Sequence, residues 1–354
     1  MPGWEIIALW GGFLILILGM LFLDLFVLHR NAHEIKMKEA LIGTCIPVAL
    51  ALLFTAFVYY GYENHWLHLG VPQAGLTASQ LSHFPTNGND AALQYLTGYI
   101  IEISLSADNV FLFLVLMSFF AVKPALQHKV LFWGVLGALV MRAVMILAGA
   151  ELIKQFGWLI YIFGAFLLFT GIKMLLSKDD EEKDPSQNIA IRLLRKIIPI
   201  HHGYVEDHFL TRINGRTYAT TLLVVLVCIE FTDLVFALDS IPAIFGITYD
   251  PFIVFTSNVF AILGLRSMFF LLAGVMDKFH YLKIGLSFVL SFVGVKMLLP
   301  GAATVYAKVM GLATVPGWHI STLISLSVVL GALLFSIIAS LIWPKPLPLH
   351  VEEK

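Results

Sequence analysis

Five acidic residues lie inside long apolar runs of this 354-residue chain, where ionisable side chains are rare. They are Glu102, Asp108, Glu230, Asp233 and Asp239. A charged side chain at the centre of a lipid-facing helix costs at least about 2.5–3.5 kcal/mol. We therefore expect these carboxyl groups to face a protein interior, where each is protonated, paired with a base or bound to a cation.

Other polar side chains could complete an oxygen site around these acids. The predicted metal ligands besides the acids are Asn109 and Ser240, and supporting roles are predicted for Ser104, Ser106, Arg142, Arg266, Asp24 and Pro242. Carboxylate, amide and hydroxyl oxygens suit Mg²⁺, Ca²⁺ and Mn²⁺. Zinc or copper would normally recruit His or Cys, and no His lies in either acidic stretch. The ligand types indicate a hard divalent cation.

Few bases are available to neutralise the acids. Arg142 and Arg266 lie at membrane depth, whereas Lys173 and Lys296 lie near predicted helix ends and can extend to the membrane surface. Five ionised acids against two arginines leave an excess near minus three. A divalent cation, bound protons, or both would relieve that excess.

Helix geometry sets a condition on a shared ion site. Glu102 and Asp108 lie about 120° apart on an ideal helix, and Asp233 and Asp239 have the same spacing. Each pair converges on one ion only if its helix unwinds locally. Pro242 supplies a cause for unwinding in the second stretch.

The first acidic stretch, 102–109, has no proline, but it does have polar side chains. Ser104, Ser106 and Asn109 could satisfy backbone groups that unwinding would free. Glu230 and Asp233 are related as i and i+3, so they share a helix face without any unwinding.

The two acidic stretches belong to an internal repeat. Residues 102–110 align with 233–241, Arg142 aligns with Arg266, and 171–175 align with 294–298. Each unit contains three predicted membrane helices, at 93–176 and 218–299. An odd number of crossings reverses the second unit in the membrane, so the sequence predicts an inverted-topology repeat, which is typical of secondary transporters.

The elements that must position these groups are membrane helices. Hydrophobic residues make up 59% of the chain, charged residues 13%, and the mean hydropathy is +0.88. About 20 apolar residues are needed to cross the hydrocarbon core. We predict an all-α polytopic membrane protein of about nine transmembrane helices, at residues 5–28, 40–60, 93–121, 128–150, 156–176, 218–245, 250–275, 280–299 and 319–343.

Basic residues alternate between the predicted loops. The stretch 61–92 has no Lys or Arg, whereas 177–217 has seven. The positive-inside rule then places the N-terminus outside the cell and the C-terminus in the cytoplasm. We expect the chain to span the cell inner (plasma) membrane. The remaining predicted segments are an N-terminal two-helix segment at 1–60, an external loop at 61–92, a cytoplasmic loop with an amphipathic helix at 177–217, and a linker, final helix and tail at 300–354.

The net charge of −1 gives no sign of a nucleic-acid partner, and none is expected. Cys45 and Cys228 both lie in apolar runs, so we expect no disulfide framework.

Two smaller features each have two possible interpretations. Asp24, followed by His29, is either an interfacial cap or a proton relay, and the cluster His201, His202, Asp207 and His208 is either a metal sensor or a polar loop.

The acidic stretches EISLSADN (102–109) and DLVFALDSIPA (233–243) resemble those of the TerC family of integral membrane proteins. The stretch LDLFVLHRNAHEIKMKEA (23–40) is similar to the family's N-terminal signature, and the resemblance covers residues 5 to 343. It implies Mn²⁺ efflux, with the five acids named above carrying the ion. Members of the family are also linked to tellurite tolerance, to pH response and to maturation of membrane proteins or enzymes.

Three hypotheses follow. The first is Mn²⁺ export by alternating access, with protons as the coupling ion. The second is Ca²⁺/H⁺ or Mg²⁺ exchange by the same architecture. The third is a scaffold that binds secretion machinery and supplies metal to exported enzymes. We expect no enzyme, because no nucleophile or substrate-sized polar cluster accompanies the acids. The sequence does not set the oligomeric state.

Overall fold

The structure is a computed structural model that describes residues 3–23, 37–72, 81, 83–176, 189–201, 203–213, 215–273, 281–310, 318 and 320–343. Its α-helices are α1 (Gly3–Leu23), α2 (Met37–Glu63), α3 (Gly88–Phe119), α4 (Pro124–Gln155), α5 (Leu159–Leu176), α6 (Ile189–Ile197), α7 (Thr221–Phe245), α8 (Pro251–Leu263), α9 (Leu265–Ala273), α10 (Leu282–Met310) and α11 (Thr322–Ile342). A 3₁₀ turn covers Trp66–His68.

The chain is an all-α polytopic membrane protein, as predicted. Within the described residues, eight segments are helical, long and apolar enough to cross a membrane, and α8 with α9 supplies one of them. The 32-residue helix α3 overlaps the predicted third crossing, but it is not one of these eight segments. The count of nine crossings therefore stays a prediction. Leu, Ile and Phe side chains on α1, α5 and α11 are widely exposed, as lipid-facing surfaces require.

The centre of the bundle is α8, whose residues are almost all buried. Helices α3 and α4 both pack on α7 and on α8, so these four helices enclose the acidic stretches. The aromatic rings of Phe13, Phe54 and Phe260 join α1 and α2 to this core, with ring centroids 5.6 and 4.8 Å apart along the series. The acids are thereby positioned by a rigid, mostly apolar interior.

Helices α5 and α10 make the most extensive contact in the bundle. Glycines make that close approach possible. A Cβ built on Gly294 would lie 2.6 Å from the backbone nitrogen of Leu168 and 2.7 Å from the carbonyl oxygen of Gly164. A Cβ on Gly171 would lie 2.7 Å from the carbonyl oxygen of Ser287. Small residues at such contacts are the usual means by which membrane helices pack backbone to backbone.

Two details differ from the sequence-based expectations. Helix α10 continues through Pro300 to Met310, so Lys296 lies in its middle and is 4% exposed, not near a helix end. Lys173 does lie in the last turn of α5 and is exposed.

The segment between α5 and α7 also contains structure that the sequence did not predict. An antiparallel hairpin of β1 (Leu210–Ile213) and β2 (Arg216–Ala219) pairs Leu210 with Ala219. The amphipathic stretch contains α6, whose Ile191 and Leu194 are buried.

Candidate cation-binding site

Helices α3 and α7 are continuous through both acidic stretches. α3 runs unbroken from Gly88 to Phe119, and α7 passes through Pro242 and ends at Phe245. The expected local unwinding is therefore wrong for this conformation. Pro242 lies three residues before the end of α7 and removes the helical hydrogen bond to the carbonyl of Leu238 without ending the helix. The acids must be brought together by packing between helices.

Arg142 on α4 joins one acid from each predicted repeat. Its Nη1 donates to the Glu102 carboxylate on α3 and to Oδ1 of Asn258 on α8, the latter at 2.6 Å. Its Nε and Nη2 donate to the two carboxylate oxygens of Asp233 on α7, at 3.1 and 2.9 Å. Ser106 donates to the same oxygen of Glu102 at 3.3 Å. We call Glu102, Arg142, Asp233 and Asn258 the arginine hub.

The arginine hub is almost fully desolvated. Arg142 is 1% exposed, Glu102 is 0% exposed and Asp233 is 2% exposed. Two ionised carboxylates and one guanidinium sum to one negative charge. Charges at such depth are tolerated only when they are paired and hydrogen-bonded, and the two-point contact between Arg142 and Asp233 is the strong form of that pairing.

Among the residues that the structure describes, several buried polar atoms near the acids have no hydrogen-bond partner. They are Glu102 Oε2, both side-chain polar atoms of Asn109, Ser240 Oγ and Asn258 Nδ2. Asn109 and Ser240 are each 1% exposed and occupy equivalent positions in the predicted repeats. Buried polar groups are nearly always paired, so unpartnered ones call for a ligand or a function. Three of these atoms are oxygens suited to a hard cation.

Glu230 and Asp239 contact residues outside the arginine hub. The half-buried Glu230 carboxylate rests against Gly137 on α4, where a Cβ would lie 2.5 Å from its Cδ. The half-buried Asp239 carboxyl lies within hydrogen-bonding reach of the Thr170 hydroxyl on α5. Glu230 and Asp233 share α7, one turn apart, as predicted.

The other predicted positions have varied surroundings. Arg266 is buried and lines a small cavity together with Asp233. Ser104 donates to the carbonyl oxygen of Ile100 within its own helix. Asp108 lies in α3, but its side chain is outside the described residues, and Asp24 is outside them entirely.

Three contributors to this region were absent from the predicted site. Asn258 on α8 is the first of them, and it accepts a hydrogen bond from Arg142 on α4. Thr170 and Gly137 had no sequence signal, because a single Thr or Gly in an apolar run is common. Their roles depend on which helices pack together.

A further buried acid, Asp250, was also missed. It caps α8 by accepting from the backbone N–H groups of Phe252 and Ile253, and it accepts a hydrogen bond from the Tyr62 hydroxyl at 2.8 Å. Burial raises the pKa of Asp250, while the bonds from Tyr62 and the helix backbone oppose that rise. Asp followed by Pro at a helix start is a capping signature, so this signal was available.

The loop between α6 and β1 carries three exposed residues, Glu206, Asp207 and His208. Their possible ligand atoms lie within 4.8 Å of one another. Lys129 donates to the Asp207 carboxylate at 2.7 Å, and that bond holds the pKa of Asp207 below its ordinary value. His202 is outside the described residues.

Comparisons with known proteins agree on the family. Residues 87–346 match the profile described as "Integral membrane protein TerC family". A Myxococcus xanthus protein, "Uncharacterized membrane protein STKORF319", is 46% identical over 341 residues, or 96% of this chain and 94% of its own. "Putative membrane-bound redox modulator Alx" of Salmonella typhi is 46% identical over 332 residues, or 93% and 92% of the two chains. No solved structure matches the chain.

Proposed function

The chain belongs to the TerC family of integral membrane proteins, and on that premise we propose that it transports divalent metal cations, with Mn²⁺ export as its activity. The proposed transport needs no enzymatic step. The protein would act in the cell inner (plasma) membrane with its C-terminus in the cytoplasm, and protons would serve as the coupling ion, because a carboxylate that releases a metal can take up a proton.

The observation that carries this proposal is the convergence of Glu102 and Asp233 on Arg142. These acids belong to different predicted repeats, yet they meet in the bundle interior although both helices remain continuous. Oxygens of Glu102, Asn109 and Ser240 that have no hydrogen-bond partner among the described residues are buried in the same two helices. Carboxylate, amide and hydroxyl oxygens form the ligand set that Mn²⁺, Ca²⁺ and Mg²⁺ share.

Packing between equivalent elements supports the proposed inverted repeat. The first helix of each unit, α3 or α7, packs on the second helix of the other unit, α8 or α4. The third helices, α5 and α10, pack on each other through Gly171 and Gly294, which are equivalent in the two units. A two-fold relation within the membrane would generate this pattern, and it would place the arginine hub at the interface between units.

Flux of Mn²⁺ into liposomes containing the purified chain tests the proposal. Glu102→Gln and Asp233→Asn should each lower the rate by at least about tenfold. The matched control is Glu151→Gln, which changes an exposed carboxyl that accepts a hydrogen bond from Gln155. Wild-type flux equal to that of empty vesicles would refute transport. Competition by Ca²⁺ and Mg²⁺ at fixed pH decides between Mn²⁺ and the other two ions.

A scaffold that binds secretion machinery is the alternative from another class. It predicts stable co-purifying proteins and an intact cellular phenotype when the acids are neutralised. The name of the Salmonella typhi relative points to redox chemistry in that protein. Here Cys45 is exposed and Cys228 is buried, and both are free thiols, so no structural observation favours a dithiol reaction.

A further inference from the structure

Arg142 is the cation that pairs with Glu102 and Asp233, two of the acids proposed to bind the transported metal. Its guanidinium lies between the Glu102 and Asp233 carboxylates and reaches both oxygens of Asp233. The side chain is 1% exposed, so water does not share in this neutralisation. The protein supplies a positive charge of its own to the acids that would hold the metal.

A divalent cation and Arg142 cannot both neutralise these two carboxylates. With Arg142 in place, the two ionised acids and the guanidinium carry one negative charge. Adding a divalent cation would leave one positive charge and two neighbouring cations in a buried site, where their repulsion is weakly screened. Replacing Arg142 by the divalent cation instead leaves the two carboxylates and the metal neutral.

An empty site without Arg142 would be costly in a different way. Two carboxylates would then face each other in the bundle interior, and two coupling protons would be needed to neutralise them, whereas one proton is enough beside Arg142. An uncompensated buried charge is costly, so a metal-free transporter that lacks one of these protons could not readily pass through the conformations that return it to the starting side. A resident cation lowers that barrier.

The predicted repeat extends this argument to the opposite conformation. Exchanging the two units maps Glu102 onto Asp233 and Asp233 onto Glu102, so the acidic pair maps onto itself. The same operation maps Arg142 onto Arg266, which is buried and lines a cavity together with Asp233. In the state with the units' conformations interchanged, Arg266 therefore takes the place that Arg142 has here.

We propose that Arg142 and Arg266 are alternating resident counter-ions, one for each orientation of the empty transporter, and that the transported cation displaces them. The inference rests on the proposed function, because it concerns return of the empty carrier. It assigns both arginines as positioning residues that act through charge. Metal-loaded molecules would not need either arginine to change orientation.

Two transport modes separate this role from a structural one. Net Mn²⁺ uptake into Mn²⁺-free liposomes requires return of the empty carrier, whereas exchange of radiolabelled for unlabelled Mn²⁺ does not. In Arg142→Gln, net uptake should fall by at least about tenfold while exchange stays within about threefold of wild type. Equilibrium Mn²⁺ binding should tighten, because the metal no longer competes with the guanidinium.

Arg266→Gln and Arg142→Lys make the test specific. Arg266→Gln should also lose net uptake and keep exchange, because Arg266 is the equivalent of Arg142 in the other unit. Arg142→Lys keeps the charge and loses the two-point geometry, so it should keep net uptake within about tenfold of wild type. Arg216→Gln, an exposed arginine on β2, is the control and should match wild type in both modes.

The outcomes divide cleanly. A wild type without net uptake or exchange would refute the proposed function itself. A transporting wild type in which Arg142→Gln loses both modes equally, or keeps both, overturns the counter-ion role. Normal net uptake in Arg266→Gln overturns the alternation. If Arg142→Gln does not fold, Arg142→Lys decides, because a folded Lys variant without net uptake contradicts a role carried by charge.

Discussion

The carboxyl group of Glu230 on α7 fills the space that a side chain at Gly137 on α4 would occupy. A Cβ at residue 137 would lie 2.5 Å from Cδ and 2.7 Å from Oε2 of Glu230. Such overlap is relieved by moving the end of a flexible side chain, not by moving a backbone. The glycine therefore fixes where this acid points, one turn from Asp233.

Gly137→Ala should leave the protein folded and displace the Glu230 carboxyl. Mn²⁺ flux in liposomes should fall by about threefold to tenfold if Glu230 acts from its present position. Gly134→Ala is the control, because a Cβ there would lie 3.4 Å from Cγ2 of Ile229, an ordinary contact. Combining Gly137→Ala with Glu230→Gln should add nothing further, because both changes act on one carboxyl. Independent losses would argue against this relationship.

Neutralising Asp233 alone should destabilise the protein strongly. Asp233→Asn leaves the buried Arg142 without its two-point partner, and breaking a buried ion pair in this way costs about 3–5 kcal/mol. Thermal unfolding in detergent should show a clear fall in Tm. The double variant Asp233→Asn with Arg142→Gln should recover part of that loss, because it removes both charges. Equal destabilisation of the single and double variants would contradict the pairing.

The sequence predicted the membrane helices and the acids because those signals are local. Apolar runs report burial in lipid, and Glu102 and Asp233 are conspicuous within them. The sequence identified Arg142 as a base that could neutralise the acids, but it did not show which acids Arg142 would contact. Those contacts depend on how α3, α4 and α7 pack. The prediction of local unwinding was wrong because it considered only pairs of acids on the same helix. Packing between α3 and α7 instead brings Glu102 and Asp233 to the same arginine.

The length of α10 shows a second limit of prediction from the sequence. The predicted helix ended at residue 299, yet α10 continues through Pro300 to Met310. A proline in a membrane helix is tolerated when neighbouring groups satisfy the freed carbonyl, and sequence alone does not identify those groups. The same limit left Lys296 near a predicted end when it lies in the helix interior.

Gly294→Ala should weaken the contact between α5 and α10. The added Cβ would meet backbone atoms of Leu168 and Gly164, which cannot move aside as a side-chain end can. Overpacking of this kind costs about 1–3 kcal/mol. The control is Gly331→Ala on α11, where no described residue lies within 4 Å of a built Cβ. An unchanged Tm for Gly294→Ala, measured beside that control, would refute the close approach of the two helices.

Tyr62→Phe should destabilise the protein in a pH-dependent manner through Asp250. Burial raises the pKa of Asp250 above its ordinary value of 3.8, and the Tyr62 hydroxyl opposes that rise. A raised folded-state pKa means that the carboxyl favours folding most at pH values below its unfolded pKa. This contribution is lost as the pH rises through the folded pKa. Without the hydroxyl, the folded pKa rises further and more stability is lost on ionisation.

The stability difference between wild type and Tyr62→Phe should therefore widen with increasing pH. It should approach an ordinary hydrogen bond, about 0.5–1.5 kcal/mol, where Asp250 is protonated, and about 1.5–3 kcal/mol where Asp250 is ionised. Thermal unfolding from about pH 4 to about pH 8 measures the trend. In an Asp250→Asn background the difference should become independent of pH. A persistent pH dependence in that background would assign the effect to a group other than Asp250.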